Sequence, residues 1–447
     1  MKLLRLLVAM ALIATPFIGQ TSVAELMRRA DAAFADKNRE LAERLYRQVL
    51  TLDPYQSRAV YRLGQLSRDE EVALEWFKQY AELEPTDAWG WLAVGDKSLK
   101  VGKTVEALEA FERASRLQPK AQDIQARLAK GRLRAAPTIE PIGGLTHDSD
   151  GNLTLRYGLG GSMAFRGGFQ LGARFGRSNI DDGINAATLD EGVLRLEGRP
   201  RMALRLDLTA GLARLAFPDA LSWTTPEVDL RVRWREDNSS PSFEARLQRL
   251  PLGTSPLLIA NHALRNELRL GVELPAGPVR IRGTGRAGLI ETFGEDANLR
   301  LQGDAALALP IGWRGEVSAQ YHRLSFDRAS SAGYFAPKLV ESIEGGTYWD
   351  LGGDGEVSAS VDLGVGIQRL AKQGEEVGAW KLALRGWAWL SVDLSRIVQW
   401  RVEGEAYSAP FAPVGVVTAP NWRYISVSMG LLIRIAPIGY SKAERSS

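Results

Sequence analysis

The sequence predicts an α + β membrane protein, a short N-terminal α-solenoid followed by an antiparallel transmembrane β-barrel of about 16 strands. Three observations predict it. A basic and then apolar leader opens the chain, helical segments punctuated by proline run to Pro137, and from there a period of two continues almost to the C-terminus. The expected divisions are a leader over 1–24, repeats over 25–135, a barrel over 136–440 and a tail over 441–447.

The leader carries Lys2 and Arg5, an apolar run from Leu6 to Ile13, and Ser22-Val23-Ala24 at its end. That is the pattern of a secretion signal cleaved after Ala24. The apolar run is shorter than the ~20 residues that span a bilayer. No later segment holds the ~18 consecutive apolar residues of a membrane helix, so any crossing must use strands. The chain has no cysteine, which excludes disulfides and thiolate metal sites. Its formal net charge of +3 is spread thinly among 447 residues and gives nucleic acid no support as a partner.

In the helical part, Leu52-Asp53-Pro54, Leu83-Glu84-Pro85 and Leu117-Gln118-Pro119 place the prolines 31 and then 34 residues apart. Ahead of each proline a small residue and an aromatic stand four apart: Ala42 with Tyr46, Ala73 with Phe77, and Ala107 with Phe111. Each pair falls on one helix face, as helix-on-helix packing requires. With Trp91, Gly95, Gly102, Ala107, Phe111, Ala114 and Pro119, the third segment resembles the tetratricopeptide repeat, whose period is about 34 residues. The second keeps Leu63-Gly64, and the first is weak in its leading helix, where Arg29 and Ala33 replace apolar residues. The stretch from Ala121 to Leu133 is expected to cap the stack. Such an array offers either a concave surface for a partner protein or a spacer.

From Asn152 the alternation is regular. Leu153, Leu155, Tyr157 and Leu159 stand against Thr154, Arg156 and Gly158, and Leu204, Leu206 and Leu208 against Arg205, Asp207 and Thr209. If the first strand leaves the periplasm, odd-numbered connections should be the long outer loops. Those expected are Thr146 to Gly151, Asn179 to Ala187, Asp219 to Pro226, Pro251 to His262, Asp327 to Pro337 and Ser408 to Asn421. Even-numbered ones are mostly tight Gly or Pro turns, such as Arg166-Gly167-Gly168 and Pro310-Ile311-Gly312, with Asp237 to Pro241 the exception. The last strand is expected over Trp422 to Ile435, with Tyr440 beyond it.

A leader, tetratricopeptide repeats and a barrel, in that order, resemble the exopolysaccharide export porins, among them the outer-membrane subunit of bacterial cellulose synthase and the poly-N-acetylglucosamine exporter. Gly333-Tyr334-Phe335-Ala336-Pro337-Lys338 looks like a segment those barrels carry, although they have far more repeats. The resemblance implies an outer-membrane porin for a cellulose-like or related polymer in a Gram-negative bacterium. It also implies repeats in the periplasm that recruit inner-membrane or periplasmic synthesis machinery. The alternatives are a non-conducting structural or assembly protein of the outer membrane and, more remotely, a barrel enzyme acting on lipid or glycan.

The polar faces supply lumen candidates of both signs: Arg205, Asp207, Arg231, Arg280, Arg282, Glu316, Glu356, Asp362, Arg385, Arg401, Glu403 and Glu405. Mixed signs fit a neutral or mildly charged polymer, and equally a wall that neutralises itself. Trp387 and Trp389 share the parity of Lys381 and Arg385, so they stack sugars in the lumen unless a bulge at Gly386 turns them to the lipid interface. Tyr334, Phe335 and Pro337 form either a gate loop or an anchor of the barrel rim. Catalysis finds no constellation. The histidines are His147, His262 and His322; His147 and Ser149 lie in an expected polar turn, and His322 stands beside Gln320 on a polar face. Asp148-Ser149-Asp150-Gly151 resembles half a calcium loop without its glutamate, and reads as a plain turn. No cofactor or metal is expected.

Overall fold

The computed structural model describes residues 22–218, 222–236, 240–312, 314–352, 356–408 and 423–435. The leader as far as Thr21, the end of the barrel domain after Ile435 with Tyr440, and the tail lie outside the described residues.

Among the described residues seven helices precede the strands: α1 Val23–Ala35, α2 Arg39–Leu52, α3 Ser57–Leu66, α4 Glu70–Leu83, α5 Ala88–Lys100, α6 Thr104–Leu117 and α7 Gln122–Ala135. Their ends follow local chemistry. Ser22 caps α1 through the Glu25 amide, which puts the expected cleavage after Ala24 in its first turn. Asn38 and Asp69 cap α2 and α4 with side-chain oxygens. At the other end, α2, α4 and α6 each stop at the leucine two residues before a proline, because proline disfavours helical backbone in the residue before it.

The small-aromatic pairs are buried, as packing between successive helices requires: Ala42, Tyr46, Ala73, Phe77, Ala107 and Phe111 are all at most 4% exposed. Gly95 is fixed by close approach, since a Cβ there would stand 2.3 Å from the Phe111 ring. The weak leading helix forms regardless. It buries Leu26, Ala30 and Ala33 and leaves Arg29 outside. Glu70 at the start of α4 bonds Lys97 at 2.6 Å and Lys100 at 3.0 Å, both on α5. Burial raises the Glu70 pKa, but these two ammonium groups outweigh it and hold the carboxyl below its ordinary value.

After Pro137 the period changes and sixteen antiparallel strands form one closed barrel, β1 pairing with β16. They are β1 Thr138–Asp148, β2 Leu153–Phe165, β3 Phe169–Asp181, β4 Ala186–Arg201, β5 Leu204–Ala216, β6 Ser222–Arg235, β7 Ser242–Pro251 and β8 Leu264–Ala276. The circuit continues with β9 Val279–Thr292, β10 Glu295–Ile311, β11 Gly315–Phe326, β12 Leu339–Asp350, β13 Val357–Ala371, β14 Lys381–Asp393, β15 Val398–Tyr407 and β16 Tyr424–Arg434. Closure leaves no strand edge, the condition for strands to cross hydrocarbon. No described helix is long and apolar enough to cross a membrane.

At the near end, where the chain enters β1, several connections are tight: Arg166–Gly168 is a single 3-10 turn with Gly167 and Gly168 at positive φ, while the expected exception, Asp237 to Pro241, falls partly outside the described residues. At the far end several expected loops are shorter than the sequence implies. Strands run on to Asp148, Asp181 and from Ser222, since ladder pairing satisfies backbone groups that a loop would leave to water. Phe293-Gly294 closes β9 to β10 in a hairpin, and the longer connection over 372–380 was not expected. The final strand spans Tyr424–Arg434, and 409–422, holding most of the last expected loop, lies outside the described residues.

Candidate functional site

In most strands one parity is apolar and exposed, including Leu155, Leu159, Phe175, Leu194, Leu212 and Leu382, which marks the exterior as lipid-facing. The other parity lines the lumen and carries most of the charges; towards the far end the outer parity also holds ion pairs, Arg177 with Asp190 and Arg369 with Glu341. Pairing puts Arg205, Asp207, Arg231, Arg280, Arg282, Glu316, Asp362, Arg385, Arg401, Glu403 and Glu405 on that inner parity. Glu356 is the exception. It precedes β13 and lies exposed in a near-end turn, where its carbonyl accepts from the Asp393 amide.

Most inner charges are paired along the wall. Arg282 joins Glu273 at 2.8 Å and Glu316 at 2.6 Å, Arg385 joins Asp362 at 2.8 Å, and Arg401 reaches Glu140 at 3.2 Å. His322 Nδ1 sits 2.8 Å from Asp304 Oδ1. Register through Gly386 is continuous, so the bulge that would turn the tryptophans outward is absent. Trp387 and Trp389 keep the lumen parity, and Trp387 Nε1 donates to Glu403 Oε1 at 2.7 Å.

At the far end the inner parity turns apolar and meets two loops. The segment after β7 forms a short helix, α8 Pro256–Ala260, capped by Ser255, with Ile259 fully buried among Ile180, Leu189 and Leu215 of β3 to β5. Trp223 Nε1 of β6 donates to the Ile259 carbonyl at 3.0 Å. On its other side Leu258 packs with Ile290, Leu324, Phe326 and Val340 of β9, β11 and β12 and with Tyr334, which is 6% exposed. Asn261 Nδ2 donates to the Ala332 carbonyl at 3.0 Å, tying the two loops together. Tyr334 and Pro337 are therefore buried inside the mouth, and Phe335 is half-buried. The sequence reading missed α8. Its signal was Ser255-Pro256 ahead of Leu257-Leu258-Ile259, an N-cap and first-turn proline inside a loop.

The remaining polar motifs are structural. His147 lies on β1, not in a turn, and its Nδ1 is 3.2 Å from the Asn152 carbonyl. Ser149 instead accepts from the Arg423 amide at 3.0 Å. Asp148 Oδ1 accepts from the amides of Asp150 and Asn152, the geometry of a self-capped turn. Among the described residues no group of three or more His, Asp or Glu is placed to hold a metal.

No protein-family model and no curated protein matches the sequence. Among solved structures, a bacterial polysaccharide outer membrane secretin aligns with 67% of this chain and 99% of its own, at 13% identity and a TM-score of 0.47. MamA from Desulfovibrio magneticus aligns with 26% of this chain and 67% of its own, at 20% identity and a TM-score of 0.25. A mutant O-GlcNAc transferase of Thermobaculum terrenum aligns with 24% and 22% respectively, at 20% identity and a TM-score of 0.23. These likenesses are distant, and the architecture rests on the helices and strand pairings themselves: a helical repeat array joined to a closed, sixteen-stranded transmembrane barrel with a charged lumen.

Proposed function

We propose that the protein is an outer-membrane conduit that passes a polysaccharide, cellulose-like or related, from the periplasm to the cell surface. The near end of the barrel and the repeats face the periplasm, where the repeats recruit a protein of the synthesis machinery. The observation that carries this reading is the closed barrel of sixteen strands with an apolar exterior and a charged interior. A barrel of about this size leaves an aqueous passage unless something plugs it. The lumen supplies weak, repeated polar contacts and two inward tryptophans, which suit a sliding sugar chain better than one deep site does. Tyr334, Phe335 and Pro337 act as part of a gate whose other half is α8.

One observation favours a second reading, a non-conducting structural protein: the apolar packing of α8 and Tyr334 inside the mouth. Planar-bilayer recording decides between them. The full-length protein is expected to stay mostly closed, and Ile259→Ser or the Tyr334→Ala, Phe335→Ala double variant to conduct, while a deletion strain loses secreted polymer. Silent bilayers from every variant, with polymer secretion unchanged on deletion, overturn the conduit in favour of the structural protein.

A further inference from the structure

Strand register brings four arginines into one row of the lumen wall. Arg231 on β6 pairs directly with Arg246 on β7, Arg246 with Arg269 on β8, and Arg269 with Arg286 on β9. Like charges directly opposite one another are destabilising in a sheet. The surrounding carboxylates relieve this unevenly. Arg231 has Glu244 at 2.6 Å, and Arg246 has Asp229 at 2.8 Å. Glu244, however, also serves Arg233 at 3.8 Å and Arg269 at 3.6 Å, while Arg286 reaches Asp304 only at 3.7 Å and shares it with His322. The Nε atoms of Arg269 and Arg286 are buried with no hydrogen-bond partner among the described residues.

From this row we infer an anion site on the translocation path: Arg269 and Arg286 take carboxylate groups carried by the passing saccharide. The inference rests on the conduit reading and narrows its cargo to a mildly anionic polymer. A guanidinium presents paired donors that match a carboxylate, and its attraction grows where the wall is partly shielded from water. Two guanidinium groups that lack close acid partners in this wall, on adjacent strands, fit substituents spaced along a chain. Glu244 sets the strength of the site, because its one carboxylate is divided among three arginines.

The test uses the full chain carrying Ile259→Ser to open the mouth, recorded in a KCl gradient. The expected reversal potential shows chloride preference, which Arg269→Gln with Arg286→Gln removes and Glu244→Gln strengthens. Loss of the arginines relieves repulsion, so that variant is expected to fold. Polyuronate oligomers should block the opened channel at lower concentration than dextran oligomers of equal length, and the double variant should raise the blocking concentration about tenfold, near the worth of one charge-assisted hydrogen bond. A channel that conducts without chloride preference, or is blocked equally by both oligomers, overturns the anion site and leaves the conduit standing. Block by free acetate at the same carboxylate concentration makes the row a small-ion site and overturns the polymer reading. Silence of all variants overturns the conduit and the anion site with it.

Discussion

Arg385 on β14 reaches Glu344 on β12 at 3.4 Å by passing over Gly364 of the strand between them. A Cβ at Gly364 would stand 3.0 Å from the Glu344 carboxylate and 3.3 Å from the Arg385 guanidinium. The missing side chain is what lets an ion pair span two strand spacings. Arg401 and Glu140 repeat the device over Gly430, where a Cβ would be 3.6 Å from Glu140 Oε1.

Gly364→Leu is therefore expected to destabilise the barrel by separating that pair. Glu344 is 5% exposed, and losing one partner of a buried pair costs roughly 3–5 kcal/mol. Because Arg385 keeps Asp362 at 2.8 Å, the loss should fall below that range, at about 2 kcal/mol. Urea unfolding in lipid vesicles measures it; an unchanged midpoint would show that the pair contributes nothing.

In the helical array, Gly95→Ala should cost about 1–3 kcal/mol, the range for overpacking, because its methyl group would overlap the Phe111 ring. Gly64→Ala, where the nearest ring atom would be 3.0 Å away, should cost less. Helical circular dichroism during thermal unfolding ranks the two, and the reverse order would contradict the packing described.

Glu70 predicts an acid dependence. Its folded pKa is depressed, so its contribution is complete above the ordinary carboxylate value of 4.5 and is lost as pH falls through the lower folded value. Glu70→Gln should flatten the loss of helical stability below pH 4.5 and leave the dependence above it unchanged. Parallel acid titrations followed at the helical band are the measurement.

Topology is testable with epitope tags. Gly183 and Gly374 lie in far-end connections with nothing within 4 Å of a would-be Cβ, and tags there should be labelled on intact cells. Leu394, 61% exposed in a near-end turn, should be labelled only after permeabilisation. Ala332, in the expected outer loop Asp327 to Pro337, is buried against α8 and is unsuitable for a tag; Gly353, in the near-end turn expected over Gly352 to Gly355, lies outside the described residues. Labelling at Leu394 alone would invert the barrel.

Trp387 and Trp389 share the lumen face of β14, and replacing both with alanine should weaken block of the opened channel by neutral gluco-oligomers several-fold, the loss expected of an aromatic platform. Unchanged block would leave them as wall residues, with Trp387 held by Glu403.

Most of the fold was legible because two periods do not mix. Alternation at Leu204, Leu206 and Leu208 fixes which side meets lipid, so the inner placement of Arg205 and Asp207 follows from parity alone. What was not legible depends on register or on tertiary contact. The arginine row needs the alignment of four strands, and sequence spacing within one strand cannot supply it. Glu356 has the right parity but falls one residue short of β13. The α8 turn is too short to show a helical period, and only burial of Ile259 and Leu258 reveals that this loop folds inward.

The contacts that hold α8 between β3 to β6 and β9, β11 and β12 are mainly apolar, with hydrogen bonds from Trp223 and Asn261 beside them, and this decides how the mouth answers its surroundings. Solvent-exposed ionic latches loosen with salinity, because added salt shortens the screening length from about 8 Å at physiological ionic strength towards about 3 Å at 1 M. A hydrocarbon latch does not, so this one should hold in fresh water and brine alike. Its weakness is cold: burial of Ile259, Leu258 and Tyr334 is driven by water and fades as water is chilled. The same barrel should leak most readily at low temperature.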